Sequence, residues 1–340
     1  MRGAPFGILG VLILLLWPQV GSARLPRPTD FRSYEIRGSS GSISYHLDRV
    51  DEGKSGPLII WLPGSGAMPF FQTFNDGSVG FTFPVALLRR VSEAHFLLVD
   101  KPGLPFSARL SFDEKEGRPI ELDNPAYRAG LTKDNLVERA AASISAAKHR
   151  LGPRATSLIV IGGSEGAQIA FAVANKVQAD QVIVWAGNAL PQYYDFIIEQ
   201  RIAAEAGKIS REQAQKNVEE VLASVRKIGG SPQDLQGRFM GEAYRRWSGF
   251  GPYAPVDDML RFRKPILFMQ GGADTNAPIL NSDYAALAFA MQGRTNLTYK
   301  VYPELNHHFR TADGTSKAVE VWDFAWDWML RQLSKSDQKQ

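Results

Sequence analysis

The chain has 340 residues, 44% hydrophobic and 22% charged, with 7 Trp, 19 Phe and 10 Tyr. That apolar load excludes a disordered chain and suffices for one large domain or two ordinary ones. The 39 cations face 35 anions, a formal net charge of +4 without any dense Lys/Arg stripe, so no nucleic-acid partner is expected. The absence of cysteine removes disulfides, a thiol nucleophile, thiolate zinc sites and iron–sulfur clusters. The five histidines include no His-Glu-x-x-His pair, and neither a metal nor another cofactor is expected.

Arg2, the apolar run over residues 6–17, the break at Pro18 and the small residues Gly21-Ser22-Ala23 read as a signal peptide over residues 1–23. The run falls short of the about 20 residues that span a bilayer, so no stable membrane anchor is expected after cleavage. Export without cysteine fits a bacterial periplasmic or secreted protein. The remainder, residues 24–340, is expected to form one α/β domain. Pro26 and Pro28 stiffen a short extended leader. Strand-like stretches at 33–37 and 42–50, separated by Gly38-Ser39-Ser40-Gly41, predict a hairpin.

Buried strands are predicted at 58–62, 96–99, 158–161, 181–185, 265–269 and 297–302. Apolar runs of this length without polar alternation suit strands covered on both faces. Helical patterns at 83–91, 133–150, 168–177 and 317–333 alternate with them, and Thr132 and Gly152-Pro153 mark the start and stop of the second. The alternation predicts a mostly parallel, eight-stranded sheet with helices on both faces. Residues from about 188 to 260 carry no strand signal and read as a helical insertion, a cap over the carboxyl ends of the strands. Within it a capping box at Ser210-Arg211-Glu212-Gln213 opens a helix that Gly229-Gly230 closes, and Ser231-Pro232 predicts a restart.

Gly162-Gly163-Ser164-Glu165-Gly166 matches Gly-x-Ser-x-Gly directly after a buried strand and directly before a helix. A nucleophile elbow sits in that context, because the turn is sharp and needs small neighbours. A serine hydroxyl needs a base, and the base needs a third group to orient it. His307 follows the last strand, and Asp274 ends the strand before it, in Gly271-Gly272-Ala273-Asp274. His308 is the alternative base; Asp283, Asp257 and Asp258 are the alternative acids.

The chain resembles the α/β-hydrolase family over roughly residues 31–333, the insertion excepted. Leu62-Pro63-Gly64-Ser65-Gly66 stands where that family has its His-Gly-x-Gly oxyanion loop. Asp100-Lys101-Pro102-Gly103-Leu104-Pro105-Phe106-Ser107 resembles its Asp-x-x-Gly-x-x-x-Ser turn, and the elbow, the acid turn and the histidine loop follow in the family's order. The resemblance implies the α/β-hydrolase fold, with Ser164 as nucleophile, His307 as base and Asp274 as its orienter. It also implies that the backbone N–H groups of Glu165 and Ser65 bind the oxyanion. Pro63 in place of the family's His means that the loop is held differently. Glu165 is unusual beside a site that gathers negative charge: it either turns away into a salt bridge or meets a cationic substrate group such as a peptide α-amine. Phe70 and Phe71, with Phe74, Phe81 and Phe83, either wall an acyl pocket or fill a core. Tyr193 and Tyr194 of the insertion are further pocket candidates. The expected function is carboxylic ester hydrolysis on a small molecule through an acyl-enzyme. A peptidase acting on short peptides, or an acyltransferase, is the alternative on the same fold, and a non-catalytic binding protein is the third reading.

Overall fold

A computed structural model describes residues 25–39, 41–48, 53–88, 90, 92–113, 115, 117–122 and 124–337. The expected signal peptide lies outside these residues. Eight strands form the central sheet: β1 (Phe31–Gly38), β2 (Gly41–Asp48), β3 (Gly56–Leu62), β4 (His95–Val99), β5 (Ala155–Gly163), β6 (Gln181–Trp185), β7 (Ile266–Gly271) and β8 (Leu297–Tyr302). Their spatial order is β1-β2-β4-β3-β5-β6-β7-β8. The β1–β2 and β2–β4 pairs are antiparallel and the rest parallel. This is the eight-stranded, mostly parallel sheet expected from six apolar runs and the N-terminal hairpin, except that the edge strand β8 is only half-buried rather than covered on both faces.

Successive side chains of a strand face opposite ways, and the sequence fills both faces. Leu58, Ile60 and Leu62 join one core cluster, and Ile59 and Trp61 join the other. The helices are α1 (Val85–Leu88), α2 (Pro125–Gly130), α3 (Lys133–Leu151), α4 (Glu165–Val177), α5 (Gln192–Glu205), α6 (Arg211–Gly230), α7 (Tyr244–Phe250), α8 (Pro255–Arg261), α9 (Ile279–Met291) and α10 (Ala318–Asp337). Residues of α3, α4, α8 and α9 belong to the first cluster and those of α10 to the second. Thr132 caps α3, accepting from the N–H of Asn135 at 3.3 Å.

Helices α5 to α8 lie between β6 and β7, with a small apolar centre of their own made by Phe196, Val221, Ile228, Phe239 and Trp247. Ser210 caps α6 as the capping box predicts. The predicted restart at Ser231-Pro232 does not form a helix. Asp234 instead accepts the N–H of Gln236, and a two-residue hairpin, Arg238–Phe239 with Glu242–Ala243, turns at Met240 and Gly241, both at positive φ.

Candidate active site

Strand β5 ends at Gly163 and α4 begins at Glu165, so Ser164 alone makes the turn, with φ 52° and ψ −117°. A non-glycine residue is rarely held there, and such strain gathers at functional sites. The glycines permit the close approach that the turn needs. A Cβ on Gly166 would lie 2.0 Å from the carbonyl oxygen of Leu62, and one on Gly162 would lie 2.4 Å from that of Gly166. The Ser164 hydroxyl has no hydrogen-bond partner among the described residues; contacts of this kind are often long until substrate binds.

The histidine loop brings His307, which is buried, onto Asp274, with Nδ1 2.8 Å from Oδ2. The acid is held in turn. Its Oδ1 accepts the N–H groups of Asn276 and Ala277 at 2.8 and 2.9 Å, and Oδ2 also accepts from Gln270 at 3.2 Å. Trp185 Nε1 donates to the carbonyl of His307 at 3.2 Å and fixes the loop from below. Of the other candidates, Asp257 is exposed in the first turn of α8. Asp283 accepts from the hydroxyl of Tyr299, and Asp258 accepts from Tyr253 and Arg261. His308 contacts the His307 ring edge-on, and burial, followed by the charge of His307, pushes its pKa down to about 4.

The loop after β3 runs beside the elbow: a Cβ on Gly64 would stand 3.4 Å from that of Ser164. Lys101, buried beneath this loop, donates to the carbonyls of Gly64 and Gly66 at 2.5 and 3.1 Å and to Glu165 Oε1 at 3.1 Å. The second oxygen of Glu165 accepts from Arg246 of α7, from Nε at 3.1 Å and from a terminal nitrogen at 2.8 Å. Burial alone would raise the pKa of Glu165, but the two cations outweigh it and hold the carboxyl below its usual value. The N–H groups of Ser65 and Glu165 have no protein acceptor among the described residues.

Ser164 and His307 together face two recesses. The first is lined by the loop from Pro63 to Gly66, Met68, Thr82, Lys101, Trp185 and His308. The second is lined by four carboxamides, Gln168, Asn188, Gln192 and Asn276, with Ala277. The oxygen of Gln168 is buried there without a hydrogen-bond partner. Behind this wall Asp195 accepts from Asn188 and, at 2.6 Å, from Asn281. Burial pushes the Asp195 carboxyl well up, against the pull of those two bonds.

Residues 207–336 match the model of the prolyl oligopeptidase family, a stretch that includes Asp274 and His307 but not Ser164. Comparison with curated proteins gives no match. Among solved structures, the chain is similar to the Pyrococcus horikoshii acylaminoacyl peptidase (TM-score 0.55, 11% identity, 89% of this chain and 42% of that one). It is also similar to the Porphyromonas gingivalis dipeptidyl peptidase 4 (TM-score 0.52, 12% identity, 88% and 35%). A puromycin-hydrolyzing peptidase of Mycobacterium tuberculosis aligns at TM-score 0.50 and 17% identity, over 86% and 38%. The chain thus spans well under half the length of these relatives. It has the α/β-hydrolase fold.

On this hydrolase fold the four expected pocket residues fall elsewhere. Phe70 and Phe71 are buried among Phe31, Phe81, Phe83 and Phe106, ring against ring, and line neither recess. The short strands Phe71–Thr73, Val79–Phe81 and Ser107–Arg109 form a small sheet, and its phenylalanines join the same core as Ile59 and Trp61 of the central sheet. Tyr193 stacks on Trp247 and donates to its carbonyl, and Tyr194 is 45% exposed. Of the two readings of Glu165, the salt bridge is the one observed; both oxygens are taken, so a substrate amine finds none free. Lys101, Arg246 and the carboxamides were not legible as site residues. Lys101 has one signal, its place in the turn after β4; Arg246 has none, because its partner is 81 residues away.

Proposed function

We propose that the chain is a serine hydrolase that cleaves an acyl bond through a Ser164–His307–Asp274 triad. The observation that carries this is the His307–Asp274 contact facing the same recesses as a strained, unpartnered Ser164. With Nδ1–H donated to Asp274, Nε2 of His307 is left basic. It takes the hydroxyl proton as Ser164 Oγ attacks the carbonyl, then gives it to the leaving group. The N–H groups of Ser65 and Glu165 receive the oxyanion, and water enters by the same base to release the acid.

Ester and peptide bonds both suit this chemistry. The peptide reading has two specific supports: a recess walled by four carboxamides, able to pair with a backbone amide, and the match of residues 207–336 to the prolyl oligopeptidase family. A panel of nitrophenyl esters and aminoacyl arylamides, with Ser164→Ala as blank, tests both. Wild type is expected to turn over activated esters and to prefer aminoacyl arylamides among amides, with a loss of about 10⁴-fold or more in Ser164→Ala. Turnover retained by Ser164→Ala would refute the triad, and esters without any arylamide would refute the peptide reading.

A further inference from the structure

Lys101 holds more than a counter-ion. Its ammonium has three donors, and two of them go to main-chain oxygens of one loop, Gly64 at 2.5 Å and Gly66 at 3.1 Å. Gly64 O belongs to the same peptide unit as the N–H of Ser65. That unit is trans, and a trans peptide keeps its C=O and N–H in one plane, pointing opposite ways. A cation that anchors the oxygen therefore fixes the direction of the N–H, and Ser65 lines the recess shared by Ser164 and His307. The same bond polarises the amide, so a hydrogen bond accepted at oxygen strengthens the one donated at nitrogen.

The third donor goes to Glu165, which has Ser164 as its chain neighbour. A carboxylate with a single cation for partner would draw that cation off the loop. Arg246 prevents this by occupying Oε2 and leaving only Oε1 for Lys101. Arg246 is held in its turn. Its guanidinium lies 4.2 Å from the ring of Trp247 and 4.7 Å from that of Phe250, and it donates twice to Gln192 at 3.3 Å.

We propose that Lys101 is a positioning residue for the oxyanion site, acting through the Gly64–Ser65 peptide, and that Arg246 couples the helical insertion to it through Glu165. The proposal rests on Ser164 as nucleophile. Lys101→Met is close in shape and leaves the Glu165–Arg246 pair intact. On one nitrophenyl ester it should lower kcat about 10²-fold, the scale of one oxyanion donor, with KM within about threefold of wild type. A trifluoromethyl ketone, which adds Ser164 Oγ to give a tetrahedral oxyanion, should bind more weakly by the factor that kcat/KM loses. Lys101→Gln keeps a donor for Gly64 O and should recover about tenfold of the loss; should Lys101→Met not fold, Lys101→Gln carries the test, with kcat about tenfold below wild type and KM unchanged. A folded variant with kcat within about threefold of wild type, or a loss confined to KM, overturns the proposal. A wild-type chain that neither hydrolyses the ester nor binds the ketone overturns the Ser164 reading, and this one with it.

Discussion

Asp274 has work for both of its oxygens: two backbone N–H groups fix Oδ1, and His307 and Gln270 share Oδ2. The carboxyl therefore cannot rotate to follow the imidazole, and it dictates which ring nitrogen carries the proton. Asp274→Asn would present an N–H to Nδ1 and force the opposite tautomer. Its kcat is expected to fall about 10⁴-fold with the thermal midpoint little changed, read by ester kinetics beside a melting curve. The residues of this unit were legible because each sits in a short local pattern, a Gly-x-Ser-x-Gly turn or a turn that closes a strand. Lys101 and Arg246 were not, because their meaning lies in partners 35 to 81 residues away.

Among the elements, α4 is the one that the site depends on most closely. Gly166 in its first turn lets the helix press against the end of β3, where a Cβ would meet the Leu62 and Pro63 carbonyls at 2.0 and 2.9 Å. Gly166→Ala must push these apart. It is expected to cost about 2 kcal/mol or more in urea denaturation and to lower kcat as well, because Pro63 leads into the loop beside Ser164. Six strands of the central sheet were readable from apolar runs, β1 and β2 from the turn between them, and α3 and α6 from their side-chain caps; the short strands at 71–73, 79–81 and 107–109 carried no such signal. Helix α9 was missed, and α5 was read only as part of the helical insertion without its bounds, for a physical reason: Pro278 and Pro191 precede them, and neither offers a side-chain cap. The supposed helix after Ser231 had a start signal, but the chain must reverse there, and Asp234 uses its oxygen on that turn instead.

At the scale of the whole molecule, the two-faced sheet was legible because its inner parallel strands, β3 to β7, are apolar on both sides. The insertion's packing was not, since its centre joins residues from three helices and a hairpin. Two carboxyls, one in the insertion and one in α4, give stability a pH dependence. Glu199 of α5 is largely buried, which pushes its carboxyl up to about 7 from 4.5. A carboxyl raised in the folded state is fully stabilising below its unfolded value, so stability should fall as pH rises from about 4.5 to about 7 and level off above. Glu199→Gln should remove that slope and gain, at pH 8, at most about 3 kcal/mol over wild type in denaturation midpoints. Glu165 works the other way: its lowered carboxyl favours the fold above its unfolded value and loses that contribution as pH falls through the folded one.

The claim on which the rest depends is that one serine is the nucleophile, and covalent labelling addresses it directly. A fluorophosphonate probe is expected to add once per wild-type chain, on the peptide that contains Ser164, and not to add to Ser164→Ala. Equal labelling of the Ser164→Ala chain, or a label on any other residue, would contradict the account.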